Sequence, residues 1–191
     1  MIEPVLARRI QLVGVDVDGT MTDGGVYLGT TANTLGQAQP VELKRFDIQD
    51  GIGMVLLKAA GLLVVMSTGR PSDAARLRAQ ELGVDAFLVD PSARKLASFE
   101  AVLHKYNTRW EEAAYVGDDL PDLPILQRVG LPVAVANAVT EVKEVAAHTT
   151  KAPGGHGAIR EFVETFLKAR GAWTDVLRTY LKERSDAALA R

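Results

Sequence analysis

The chain predicts an α/β fold, a parallel sheet with helices on both faces, and three observations carry that prediction. Apolar runs of strand length recur along its 191 residues. Stretches with apolar residues at helical spacing lie between them. Strands that alternate with helices in this way are joined by right-handed crossovers, so every strand C-terminus falls on one edge of the sheet.

Residues 10–17 supply the first strand, which runs into Asp16-Val17-Asp18-Gly19-Thr20. Two carboxylates at a strand tip are costly unless solvated, hydrogen-bonded or bound to metal, and the tips of an open α/β sheet are where ligands bind. Residues 24–47 break the alternation. Val26-Tyr27-Leu28 and Val41-Glu42-Leu43-Lys44-Arg45-Phe46 flank a polar stretch rich in Gly, Thr, Asn and Gln, the pattern of a projecting β-hairpin. Such a hairpin is marginal alone and is expected to pack on something, another subunit included.

Ile52, Val55, Leu56 and Ala59 then mark a helix, and residues 62–67 a second strand ending Ser67-Thr68-Gly69-Arg70. Thr68 has two readings: a ligand for a phosphoryl oxygen, or an N-cap for the next helix, a role that Ser72 and Asp73 also suit. Ala74, Leu77 and Leu82 mark that helix, and residues 86–89 the third strand. Leu96, Phe99, Val102, Leu103 and Tyr106 give the next helix, with Lys95 near its start. A lysine there opposes the helix dipole, which suits either an anion-binding role or a solvated surface position. Residues 113–116 form the fourth strand, ending Gly117-Asp118-Asp119-Leu120-Pro121-Asp122, and residues 132–135 the fifth. Three acidic residues so close repel one another without a cation, and an oxygen-only donor set favours a hard ion such as Mg²⁺. Trp173, Val176, Leu177, Tyr180 and Leu181 mark a C-terminal amphipathic helix, with fraying expected over residues 185–191. The chain is expected to divide into a main α/β domain over residues 1–170 and a helical extension over residues 171–191.

Composition narrows the class. A net charge of −2 leaves no electrostatic footprint for nucleic acid, and the absence of cysteine excludes disulfides and thiolate metal sites. Residues 1–9 read as neither a signal nor a transit peptide, and no apolar run approaches a membrane span. These features predict a cytoplasmic protein without nucleic-acid or membrane partners. Gly51-Ile52-Gly53 lacks the remaining glycine of a dinucleotide fingerprint and follows no buried strand.

Asp16-Val17-Asp18-Gly19-Thr20, Thr68, Lys95 and Gly117-Asp118-Asp119 with Asp122 resemble, in order, the four motifs of the haloacid dehalogenase-like (HAD-like) phosphatases. Further stretches narrow the resemblance to the 3-deoxy-D-manno-octulosonate 8-phosphate phosphatase family: Thr22-Asp23-Gly24, Phe46 with Asp50-Gly51-Ile52-Gly53, Gly117 to Pro124, and Gly154-Gly155-His156-Gly157-Ala158-Ile159-Arg160-Glu161. The resemblance implies a Rossmann-like HAD fold, with Asp16 as nucleophile and Asp18 as general acid and base. It implies Mg²⁺ held by Asp16, the Asp18 carbonyl and Asp118. Thr68 and Lys95 would hold the phosphoryl group, with Asp119 and Asp122 orienting Lys95 or the metal ligands. Gly69, Arg70 and Arg78 would contact substrate, and Asp47, Ile48, Gln49, Asp50 and Gly51 would line the sugar site.

One helix and one strand consume the stretch from Thr68 to Lys95, which leaves no room there for a cap domain. The stretch from Asp16 to Thr68 holds only the hairpin and a helix. Capless relatives of this kind are tetramers whose hairpins form a central barrel, so a homotetramer is expected. The segment from Gly154 to Arg160 would then reach a neighbouring subunit's site, with His156 as a candidate contact. Gln49 and Val55 stand where the family usually has arginine, and residues 89–94 lack its usual glycine. The substrate is therefore open between eight- and nine-carbon sugar-acid phosphates. A capless phosphatase of another phosphate ester and a non-catalytic oligomeric module remain as alternatives.

Overall fold

The computed structural model describes residues 1–189. Its main sheet contains six strands, all parallel: β1 (Leu12–Asp16), β4 (Leu63–Thr68), β5 (Ala86–Val89), β6 (Ala113–Gly117), β7 (Leu131–Ala134) and β8 (His148–Thr149). They lie in the order β5-β4-β1-β6-β7-β8. The chain builds outward from β1 through β4 and β5, then returns to the other side of β1 for β6, β7 and β8. The direction therefore reverses between β1 and β6, and a crevice opens at their carboxyl ends. Those ends carry Asp16 and Gly117-Asp118. β1 is buried at every position, as a central parallel strand covered on both faces must be.

Helices α1 (Pro4–Arg9), α2 (Ile48–Ala59), α3 (Asp73–Leu82), α4 (Lys95–Lys105), α5 (Leu123–Leu126), α6 (Thr140–Val145), α7 (Ala158–Arg170) and α8 (Trp173–Leu189) complete the α/β layers. Several differ from the sequence expectation. Leu77, expected on the buried face of α3, is 57% exposed, because Ala75, Ala79 and Leu82 form that face instead. β8 has two residues, too few for a pattern to show. α7 buries Ile159, Phe162, Val163, Phe166 and Leu167, and so belongs to the core. α8 continues through Leu189 rather than ending near Ser185; residues 190–191 of the segment expected to fray lie outside the described residues.

The hairpin is present as β2 (Tyr27–Ala32) paired antiparallel with β3 (Ala38–Leu43). Its base is tied by a bridge between Thr22 and Phe46. Tyr27, Leu28 and Leu43 stand exposed on it. No helical domain interrupts the segments joining Asp16, Thr68 and Lys95, so the fold is capless. Among the described residues no helix is long and apolar enough to cross a membrane.

Candidate active site

The carboxyl edge of the sheet gathers Asp16, Asp18, Gly69, Arg70, Lys95, Asp118, Asp119 and Asp122 around one cavity of about 210 Å³. Asp16 ends β1 and is 2% exposed. After it the backbone turns sharply at Gly19, whose φ of +94° suits glycine. A Cβ on Gly19 would lie 2.1 Å from Asp118 Oδ2, so the glycine also lets β6's carboxylate approach.

Lys95, the first residue of α4, is buried and forms ion pairs with Asp16 and Asp122, the latter at 2.8 Å. Burial alone would lower its pKa, but these two carboxylates outweigh it and hold the ammonium above its ordinary range. Its place against the helix dipole is thus explained by the anions it faces. Asp122 Oδ1 also accepts from Tyr115 Oη at 3.2 Å, and its Oδ2 accepts from the backbone N–H groups of Asp118 (3.1 Å) and Asp119 (3.4 Å). Asp119 lines the cavity, and its side chain caps the short turn that carries Asp122.

Thr68 donates its hydroxyl to Asp18 Oδ2 at 2.7 Å and accepts from the Arg70 N–H at 2.9 Å. The cap of α3 is Ser72, so Thr68 is left to the site. The other Asp18 oxygen is ion-paired with Lys44, which follows β3. Glu42 on β3 pairs with both Lys44 and Arg70. Sequence reasoning missed Lys44 and Glu42 as site residues. The alternation of Val41-Glu42-Leu43-Lys44 put them on one face of the hairpin, but nothing showed which face turned inward.

One carboxylate oxygen from each of Asp16, Asp118 and Asp122 lies within 4.8 Å of the others. Burial, then the charge of Asp122, pushes Asp16 well above the ordinary carboxylate range, with Lys95 offsetting part of the rise. Asp118 is pushed up to about 6, chiefly by burial and by Asp122, although Thr20 donates to it at 2.8 Å. Converging, reluctantly ionised oxygen donors are what a hard divalent cation relieves, so the residues fit Mg²⁺. Four donors already occupy Asp122, which makes it the anchor behind the other two carboxylates.

The remaining sequence-predicted residues lie off this cavity within the single chain. The Asp47 carboxylate caps α2 by accepting from the Gln49 N–H at 2.7 Å, Ile48 is 78% exposed, and Gln49 faces solvent. Asp50 is fully buried and accepts from the N–H groups of Gly157 (3.1 Å) and Arg160 (2.9 Å), so it caps α7. Arg78 lies against Gly51, donates to the Asp47 carbonyl at 3.2 Å and pairs with Glu81. Val55 is half-buried. The Gly154 to Arg160 segment packs on its own chain: Gly154 N–H donates to Asn137 Oδ1 (2.6 Å) and Gly155 N–H to the Thr20 carbonyl (3.1 Å). It braces the turn after Asp16. His156 is exposed beside Arg45.

Residues 86–162 match the family model for haloacid dehalogenase-like hydrolases. The chain is 36% identical over 165 residues to the 3-deoxy-D-manno-octulosonate 8-phosphate phosphatase KdsC of Escherichia coli K12, covering 86% of this chain and 83% of that one. The chain belongs to that phosphatase family. The Yersinia pestis enzyme of the same name is 37% identical over 164 residues, covering 86% and 83%. Among solved structures, the phosphatase of that name from Moraxella catarrhalis, crystallised with magnesium, phosphate and KDO, superposes with a TM-score of 0.81 at 33% identity, covering 93% of this chain and 97% of that one. A HAD subfamily IIIA hydrolase from Legionella pneumophila gives 0.83 at 36% identity, covering 94% and 93%. The chain is accordingly a HAD-type phosphoric monoester hydrolase with a carboxylate site suited to Mg²⁺.

Proposed function

We propose that the chain hydrolyses 3-deoxy-D-manno-octulosonate 8-phosphate through an aspartyl-phosphate intermediate. The observation that carries this reading is the pair of aspartates at one cavity: Asp16 buried on Lys95 at its floor, and Asp18 held by Thr68 beside it. An Asp16 carboxylate oxygen attacks phosphorus and the ester P–O bond breaks. Asp18 gives its proton to the departing alkoxide. Water then attacks the phosphoryl group, passes a proton to Asp18, and the P–O bond to Asp16 breaks to release phosphate. Lys95 and Thr68 orient the phosphoryl oxygens and offset their charge. Asp16, the Asp18 carbonyl and Asp118 would hold Mg²⁺, which when bound neutralises charge on the carboxylates and the transferring group. Arg70 at the cavity wall offers a cation to the sugar-acid carboxylate. The complete acidic and basic set argues against a non-catalytic module.

A nine-carbon sugar-acid phosphate is the second reading, favoured by Gln49 and Val55, which stand where the family resemblance implies arginine. Phosphate release with Mg²⁺ over eight- and nine-carbon keto-deoxy acid phosphates, hexose phosphates and phosphopeptides separates the readings. The octulosonate ester should lead, and Asp16→Asn should abolish turnover. Faster hexose phosphate turnover, or an active Asp16→Asn, would overturn the proposal. The same reading puts the protein in the cytoplasm as a tetramer joined through its hairpins, where Tyr27, Leu28 and Leu43 would be covered. Sedimentation as a monomer at micromolar concentration would reject that assembly.

A further inference from the structure

Lys44 has a fully buried side chain, yet it sits at the end of a hairpin whose β2 is exposed throughout and whose β3 is exposed except at Val41 and Glu42. Burying an ammonium is expensive unless carboxylates receive it. Two do: Asp18, in direct ion pair, and Glu42 at 3.4 Å. Strand alternation puts Glu42 and Lys44 on the inner face and sends Leu43, 60% exposed, outward. Glu42 is in turn fixed by Arg70, whose Nη2 lies 2.6 Å from it. Asp18 is therefore gripped from two sides, by Thr68 from the tip of β4 and by Lys44 from the hairpin. With one oxygen committed to each donor, the carboxylate plane has a single setting, and each oxygen keeps a lone pair for a proton.

We propose that Lys44 is a positioning residue for proton transfer, holding the Asp18 carboxylate in line with the leaving-group oxygen. The proposal rests on the reading of Asp18 as proton donor and adds the hairpin to the catalytic apparatus. A purely structural role, pinning the hairpin to the sheet, would affect all substrates alike. A positioning role acts only where the leaving group needs a proton. An alkyl phosphate needs one, whereas an aryl phosphate such as p-nitrophenyl phosphate departs as a stable phenolate.

The test compares kcat/KM, which reports the step that breaks the ester bond, for p-nitrophenyl phosphate and for the best alkyl phosphate of the substrate panel. Lys44→Met keeps the stem and removes the donor. It should lower the alkyl value roughly 10- to 100-fold and the aryl value less than about threefold, within the range acid catalysis supplies. Equal losses on both esters, or none on either, would overturn the proposal. Asp18→Asn run alongside separates the two claims. If it spares the alkyl ester, the reading of Asp18 falls; if it selectively removes alkyl turnover while Lys44→Met does not, only the role of Lys44 falls. Should Lys44→Met not fold, Lys44→Leu, which also lacks a donor, carries the same comparison and the same outcomes.

Discussion

Asp118→Asn should make the cation-free protein more stable while making it inactive, and the size of the gain follows from the site. Burial and the neighbouring Asp122 push the Asp118 carboxyl up to about 6 from the ordinary 3.8. The folded state therefore holds this proton more tightly than the unfolded chain. Its contribution to stability is complete below pH 4 and is lost as pH rises through 6. At about 1.4 kcal/mol per pH unit, the ionised carboxylate costs the fold about 3 kcal/mol at pH 8. Asparagine removes the charge and keeps an acceptor for the Thr20 hydroxyl, which donates at 2.8 Å. Relief of Asp16, which Asp118 also pushes up, acts in the same direction. Thermal and denaturant melts in chelator should show variant and wild type alike at pH 4. At pH 8 the variant should be ahead by about 3 kcal/mol, or roughly 6–12 °C for a domain of this size. Saturating Mg²⁺ should raise the wild type and narrow the gap, because a cation bound only to the folded state stabilises it. A gap that does not change with pH, or a variant less stable at pH 8, would refute this account of the carboxylate cluster.

Two further perturbations probe the bracing of the site. Asp50→Ala removes the buried acceptor for two part-buried N–H groups at the start of α7 and should destabilise the fold by about 1–3 kcal/mol, read by denaturant melts. Gly154→Ala places a Cβ 1.9 Å from the Gly19 carbonyl oxygen, so it should displace the turn after Asp16 and lower both melting temperature and phosphate release.

The chemistry was legible in the sequence because a parallel sheet brings all its carboxyl ends to one edge. Once residues 10–17, 62–67 and 113–116 read as strands, Asp16, Thr68 and Asp118 had to share one edge; the strand order, which pairs β1 with both β4 and β6, makes them neighbours, and Lys95 needed only a helix start close by. Asp50 shows where that reasoning stops. It precedes a glycine in a motif that points to substrate, yet its partners are Gly157 and Arg160, more than a hundred residues onward. No local pattern encodes a cap shared between α2 and α7. Leu77 missed for a related reason: three apolar residues on a short helix leave its phase free, and small alanines packed the interface better than leucine.

Lys44 is the most instructive case. Alternation assigned it a face shared with Glu42, but a hairpin joined to the sheet only at its base can turn either face toward the site. What fixes the choice is electrostatic. Asp18 and Arg70 at the sheet edge present one negative and one positive group, and Lys44 and Glu42 present the complement in matching order. Turning the hairpin the other way would aim Leu43 at two charged groups and leave Asp18 with Thr68 alone. In the proposed mechanism the motif at β1 specifies which reaction occurs, while the charge order of Glu42 and Lys44 at the end of the hairpin sets how Asp18 is aimed.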